Sequence, residues 1–132
     1  MQLATARPAL AQTAYPPGNF LQAATVISEA IDRYEVSVVW DASSSIMKTK
    51  IPKDQFMASV AQKRSVLGSI QHRDWMAIMR VPLASEENGL PAGQYMSIRF
   101  ATRGTTGQVM QEVISFRLES NNQWKLVGYT LE

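Results

Sequence analysis

The spacing of apolar residues changes once along this chain, near Gln71. Before that point apolar side chains recur every three to four residues, which is typical of amphipathic helices. After it they recur at every second residue, which is typical of strands with one buried face. Because all the helical spacing comes first and all the strand spacing comes last, we predict an α+β fold, with N-terminal helices packed on one sheet.

The first half of the chain is predicted to form three helices. Helical spacing runs from residue 20 to about residue 33, with Asn19 available as the N-cap. A short second helix follows a bend near Tyr34. A third helix has Pro52 in its first turn and ends near Gly68.

The second half is predicted to form four sequential strands. The first runs from Trp75 to Val81 and is closed by Pro82, and the second covers residues 95–103. The third ends near Glu119, and the fourth spans residues 124–131. We therefore expect a curved four-stranded antiparallel meander. By analogy, a long helix against such a sheet points to a cystatin-like or nuclear-transport-factor-like (NTF2-like) architecture.

Length and composition favour a single α+β domain over residues 20–132. The chain has 132 residues, of which 45% are hydrophobic, enough for one compact core. Residues 1–19 have no amphipathic period and end in a Pro-Pro-Gly-Asn stretch, so they are predicted to be a flexible leader or the remnant of a signal peptide. Ala9-Leu10-Ala11 has the form of a secretory cleavage site, but no complete apolar region precedes it.

Composition argues against several classes of function. The chain has no cysteine, which excludes disulfides, thiolate metal sites and cysteine nucleophiles. The chain has one histidine and no carboxylate-rich loop, so we expect no metal site. It has no glycine-rich phosphate loop, so we expect no cofactor. The net charge is +2 with dispersed basic residues, so we expect no nucleic-acid partner. No apolar run approaches the roughly 20 residues that cross a bilayer, so we expect no transmembrane segment.

Two short patterns resemble catalytic motifs, and both have simpler explanations. His72 lies beside Asp74, as an oriented general base would, but no activated nucleophile is identifiable. Ser45 and Lys48 match an S-x-x-K pattern without its partner motifs, in a chain too short for the corresponding enzymes. We therefore assign no catalytic residue.

One carboxylate is predicted to lie in the core. In the third strand Glu112 shares a face with apolar residues, namely Met110, Ile114, Phe116 and Leu118. An unpaired carboxylate there would cost several kcal/mol, so Glu112 needs a partner. Arg64, in the apolar stripe of the third helix, and Arg73, at the corner between helix and sheet, are the two candidates.

The partner of Glu112 can be interpreted in two ways. The first is an internal ion pair with Arg64 or Arg73, which would be structural. The second is a polar floor beneath a pocket bounded by three aromatic side chains, Trp40, Tyr95 and Tyr129.

An ordered series of motifs resembles a bacterial family known only as domain of unknown function 4019. The series consists of Trp40-Asp41-Ala42-Ser43, KRSVLGSIQHRDW from Lys63, LPAGQYMSIRFAT from Leu90, QEVISF with Glu112, and WKLVGYTLE from Trp124. The positions that match the family pattern are Arg64, Gly68, Arg73, Glu112, Trp124, Gly128 and Tyr129. The resemblance implies small exported proteins with a helix-plus-curved-sheet domain, hence a periplasmic or secreted location. It implies no established activity.

Three functions compete at this stage. The preferred one is a non-catalytic exported binding or accessory module with a protein partner or a second copy of itself. It would use the mouth of the helix-sheet cone or an apolar patch on the sheet formed by Trp75, Val109, Val113 and Val127. The second is an inhibitor or immunity protein that blocks an enzyme with the loop of residues 84–93. The third is a small-molecule enzyme in which Glu112 acts with Tyr95 or Tyr129 in a helix-sheet cavity.

Overall fold

A computed structural model describes residues 16–132 of the chain, so residues 1–15 of the predicted leader lie outside the described residues. The helices are α1 (Pro17–Asp32), α2 (Val36–Asp41), α3 (Ser45–Lys50) and α4 (Lys53–Ser65). The strands are β1 (Ile70–Leu83), β2 (Gly93–Gly104), β3 (Val109–Leu118) and β4 (Trp124–Leu131). They form one antiparallel sheet in the order β1-β2-β3-β4, so the predicted α+β class is confirmed. Among the described residues, every helix is too short or too polar to cross a membrane.

The helix boundaries differ from the prediction at two places. Helix α1 begins at Pro17, and Pro16 rather than Asn19 is its N-cap, because a proline at the first position lacks only an N–H that would have had no helical partner. The predicted second helix is two helices. They separate because the Ser44 side chain caps α3 through the Ile46 N–H, while the Ser44 N–H bonds Leu126 O at 2.8 Å.

Strand β1 is longer and less regular than predicted. It begins at Ile70 and continues through Pro82, which an edge strand tolerates because an edge leaves one side of the ladder unpaired. Its pairing with β2 shifts between Trp75 and Ala77. A bulge of this kind reverses the alternation, so Trp75 and Ile78 face the same side although they are three residues apart.

The core lies between the helices and the face of the sheet that they cover, which we call the inner face. Helix α1 places Phe20 against Phe116 and Trp124, with ring centroids 6.4 and 4.8 Å apart. On the inner face, β2 and β3 bury alternate side chains: Met96, Ile98 and Phe100 on β2, and Ile114 and Phe116 on β3. Glu112 continues this inner row of β3.

The corner between α4 and β1 is held by the turn between β2 and β3. The Thr105 N–H bonds Ser69 O at 2.8 Å, and the Thr106 hydroxyl bonds Val66 O at 2.7 Å. Gly104 packs so closely that a Cβ there would collide with Leu67 O. This close approach fixes the end of α4 relative to the start of β1, and therefore fixes the two arginines on either side of the corner.

Candidate functional site

Four charged side chains from four elements meet beneath the end of α1. Asp32 is the last residue of α1, and Arg64 lies in the last turn of α4. Arg73 on β1 pairs with Thr102 on β2, while Glu112 points inward from β3. We call Asp32, Arg64, Arg73 and Glu112 the charge network.

Glu112 is completely buried and accepts four hydrogen bonds. Its Oε1 accepts from Arg73 Nε at 2.7 Å and from Thr102 Oγ1 at 2.9 Å. Its Oε2 accepts from Arg64 Nη1 at 3.3 Å and from the Tyr129 hydroxyl. Four donors and two positive charges offset the cost of removing this carboxylate from water.

Asp32 forms the second half of the network. Its two oxygens accept from Arg73 Nη1 and Nη2, each at 3.1 Å, in a bidentate pair. Arg64 Nη2 also donates to Asp32 Oδ1. Both arginines therefore contact both carboxylates, and two positive charges balance two negative ones.

The surroundings shift the pKa values of three members of the network and of Tyr129. Burial raises the pKa of Asp32, but the hydrogen bonds from Arg73 and Arg64 outweigh it and leave that pKa below its ordinary value of 3.8. Burial lowers the pKa of Arg64 and of Arg73, but hydrogen bonds to Asp32 and nearby negative charge raise both above the ordinary value. Burial, followed by the charge of Glu112, raises the pKa of the Tyr129 phenol. At neutral pH the phenol is therefore a hydrogen-bond donor and not a proton acceptor.

Four of the six predicted site residues come together in the structure: Arg64, Arg73, Glu112 and Tyr129. The sequence left open whether Arg64 or Arg73 pairs with Glu112, and the structure shows that both do. The phenol of Tyr129 also accepts a hydrogen bond from Arg64 Nη1 at 3.3 Å, which makes it part of the same cluster.

The other two predicted site residues, Trp40 and Tyr95, lie elsewhere. Trp40 donates its indole N–H to Ile51 O at 3.0 Å, and the ammonium groups of two lysines, Lys48 and Lys53, lie 5.5 and 5.8 Å from its ring. Tyr95 lies five residues from Phe100 on a regular strand, so it is on the opposite face, where its hydroxyl bonds Pro91 O at 2.6 Å. The pocket with Trp40, Tyr95 and Tyr129 as walls is therefore not formed.

Sequence reasoning missed two members of the cluster, Asp32 and Thr102, although both carried a signal. Asp32 lies at the next four-residue step after Ala24 and Ser28 on the buried stripe of α1. Thr102 is the next alternate residue after Phe100 on the inner face of β2. A search of these stripes for polar side chains, and not only for apolar ones, would have found both residues.

An open groove adjoins the network on the side of Asp32 and Arg64. It has a volume of about 570 Å³, within the range of small-ligand sites, and lies between the end of α1, the last turns of α4 and the start of β1. Its apolar walls come from Ile31, Val36, Val60, Ala61 and Ile70. Asp32 and Arg64 retain 26% and 13% side-chain exposure, whereas Glu112 retains none. The groove therefore meets the network at one ion pair only.

Tyr34 stands at the rim of this groove in an unusual conformation. Helix α1 ends with bonds from the Tyr34 N–H to Ile31 O and from the Glu35 N–H to Ala30 O, at 3.0 and 2.9 Å. This is the Schellman motif, in which the residue at the Tyr34 position is left-handed and is usually glycine or asparagine. Tyr34 adopts φ 63°, and the residue is 92% exposed. Since a bulky aromatic ring is costly there, the position is a candidate for a functional role.

The predicted apolar patch on the sheet is not continuous. Val109 is half-exposed, and the outer face also carries Val113. Trp75 pairs with Phe100 and so points toward the inner side at the sheet edge, while Val127 is buried. A homodimer through the sheet stays a prediction, which light scattering of the whole chain would test.

Comparison with known proteins places the chain in a family without an assigned activity. None of the curated proteins matched it, and none of the solved structures did. The cystatin-like or nuclear-transport-factor-like architecture therefore stays a prediction, as does export. A family model described as "Protein of unknown function (DUF4019)" matches residues 23–129, which include the whole charge network. The chain therefore belongs to the DUF4019 family.

Proposed function

We propose that this protein is a non-catalytic exported binding or accessory module and that its binding site is the groove beside Asp32 and Arg64. The observation that carries the proposal is the contrast between the two ends of the charge network. Glu112 is sealed by four donors, whereas Asp32 and Arg64 line an open groove with apolar walls. The buried Glu112 therefore suits a structural role, and the partly exposed Asp32 and Arg64 suit contact with a ligand.

The contacts of Glu112 argue against its use as a catalytic base. A substrate would have to displace Arg73, Arg64, Thr102 or Tyr129 from a side chain with no exposed surface. The Tyr129 phenol, with its raised pKa, does not supply a base at neutral pH either. The small-molecule enzyme that uses Glu112 with Tyr129 is therefore the weaker proposal.

The rim of the groove supports recognition. The exposed ring of Tyr34 adds an aromatic surface beside apolar walls, and aromatic side chains contribute large contact areas at low entropic cost. The backbone conformation of Tyr34 is costly for a bulky side chain, so a gain elsewhere, such as ligand contact, is expected to offset it.

A second candidate function rests on the loop between β1 and β2. Within it Asn88 and Gly89 both have positive φ, and Glu87 and Leu90 exchange two hydrogen bonds of 2.9 Å, as in a tight hairpin. Arg117 Nη2 holds the end of the loop by donating to Ala92 O at 2.9 Å. A preformed exposed loop loses little entropy on docking, which suits an inhibitor or immunity protein.

Site-specific crosslinking in the native host tests the two candidates against each other. A photoreactive residue is placed at Tyr34 in one variant and at Asn88 in another, with Asp54, an exposed residue at the far end of α4, as the matched control position. The groove proposal expects a specific adduct from Tyr34 only. A specific adduct from Asn88 only would support the inhibitor and contradict the groove.

Export is a separate part of the proposal, and the family resemblance supports it together with the Ala9-Leu10-Ala11 pattern. The Ala9-Leu10-Ala11 pattern lies outside the described part of the chain. Cell fractionation with N-terminal sequencing of the mature protein tests it. We expect a processed chain in the envelope or medium, whereas an unprocessed chain in the cytoplasm would contradict export.

A further inference from the structure

We infer that the groove takes an uncharged ligand in which an amide lies next to an apolar group, as in an uncharged stretch of peptide. This inference rests on the proposed function, because it names the chemistry of the ligand for the same groove. Three properties of the groove carry it: its spare hydrogen-bonding capacity, its charge balance and the apolar surface around the ion pair.

The ion pair at the groove has two donors and one acceptor to spare. Arg64 donates through Nη1 to Glu112 and Tyr129 and through Nη2 to Asp32, so two of its five N–H groups, on Nε and Nη2, donate to no residue in the described part of the chain. Asp32 Oδ1 accepts two hydrogen bonds, whereas Oδ2 accepts only one, from Arg73 Nη1. A carboxylate oxygen has room for two. Spare donors and a spare acceptor in one ion pair match the C=O and N–H of an amide.

The charge balance of the network disfavours an ionic ligand. Two guanidinium groups face two carboxylates, so the site has no net charge with which to attract a cation or an anion. A charged ligand would lose its water and would also compete with the existing pairs. A neutral amide meets neither cost, because it forms hydrogen bonds to the ion pair without separating it.

The walls and rim specify the rest of the ligand. Ile31, Val60 and Ile70 present apolar surface on either side of the ion pair. Tyr34 is 92% exposed at the rim, so its ring is free to cover an apolar side chain that enters the groove. An apolar group next to the amide would therefore bury surface on both the wall and the ring.

The test is an NMR titration of the ¹⁵N-labelled whole chain with three probes that share one body. Acetyl-Ala-Leu-Ala amide is neutral, the same peptide with a free C-terminal carboxylate is anionic, and the same peptide amide with a free N-terminus is cationic. Each is added to the wild type, to Tyr34→Ala and to Trp75→Ala. Trp75 is the matched control because it is also an exposed aromatic residue but does not line the groove.

We expect the neutral probe to shift the amide signals of groove residues and to bind more tightly than either charged probe. Tyr34→Ala should weaken its binding about three- to tenfold, the usual range for one aromatic contact, while Trp75→Ala leaves binding unchanged. If a charged probe binds the groove as tightly as the neutral one, the inferred ligand class is wrong and the groove proposal stands. If all three probes leave the groove signals unmoved, this inference is overturned and the groove proposal loses its support as well.

Discussion

Replacing Glu112 with glutamine tests the charge network, because it removes one charge and almost no volume. The new side-chain amide keeps one acceptor, and its NH₂ group must face one of the two pairs of donors. On the side of Tyr129 the hydroxyl can turn to accept from the NH₂ group, but Arg64 Nη1, which lies 3.3 Å from Oε2 in the native chain, then loses its carboxylate acceptor and keeps only the Tyr129 oxygen. The variant therefore leaves two guanidinium groups facing one carboxylate, Asp32.

The expected cost follows from that uncompensated charge. Removing one partner of a buried ion pair destabilises a protein by about 3–5 kcal/mol. For a domain of this size such a loss lowers the melting temperature by about 10–20 °C. Urea unfolding followed by circular dichroism measures the loss as a lower midpoint with an unchanged slope.

Two further variants make the experiment decisive. Glu119→Gln is the matched control, because Glu119 pairs with Arg117 at 3.2 Å but keeps 19% of its side chain exposed; we expect it to cost no more than about 1 kcal/mol. Adding Arg64→Gln to Glu112→Gln restores the charge balance, so the double variant should cost about 1–3 kcal/mol less than the sum of the single variants. A loss below about 1 kcal/mol for Glu112→Gln, or simple additivity with Arg64→Gln, would refute the network.

Four other results are expected. Gly104→Ala should cost about 1–3 kcal/mol of unfolding free energy because the new Cβ would collide with Leu67 O. Gly18→Ala should not destabilise the chain, because a Cβ added at Gly18 has no atom within 4 Å. Equal effects of the two substitutions in urea unfolding would contradict the close packing of Gly104. Tyr34→Gly should raise the free energy of unfolding by up to about 1 kcal/mol while it weakens groove binding, and a loss of stability would argue against the left-handed strain. Because the pKa of Asp32 is lower in the folded chain than its ordinary 3.8, its stabilising contribution is present above about pH 4 and is lost as the pH falls through the folded pKa. Asp32→Asn should therefore reduce the loss of stability on the acid side of the pH profile. An unchanged acid side would contradict the lowered pKa of Asp32. The pKa of Tyr129 is raised, so its phenol should not ionise near pH 10 while the chain is folded. The ultraviolet titration curve of Tyr129→Phe should therefore match that of the wild type until alkaline unfolding. If the variant has one ionisation fewer than the wild type near pH 10, the Tyr129 phenol is open to solvent.

The alternation of apolar residues was enough to predict the inward direction of Glu112. The same rule places Tyr95 on the opposite face, since Met96, Ile98 and Phe100 take the alternate positions of β2. Tyr95 was nevertheless considered as a pocket wall, because the prediction combined aromatic residues without comparing their faces. Side-chain direction is thus readable from sequence wherever a strand is regular.

Other features depend on tertiary contacts and could not be read from spacing. The bulge in β1 beside Trp75 changes which side chains face inward, and nothing in the sequence marks it. The break between α2 and α3 depends on a hydrogen bond from Ser44 to Leu126, which is remote in sequence. Part of the groove wall comes from residues 68–70 at the corner where Gly104 packs against Leu67, so the groove appears only once the strands are paired.

The most direct test of the groove proposal is the set of intermolecular nuclear Overhauser effects between bound acetyl-Ala-Leu-Ala amide and the ¹³C-labelled chain. We predict contacts from the leucine methyl groups to Val60, Ile70 and the Tyr34 ring, which line the groove. Contacts to Val113 or Arg99, which face each other across the outer side of the sheet, would contradict the account, because binding would then occur away from Asp32 and Arg64.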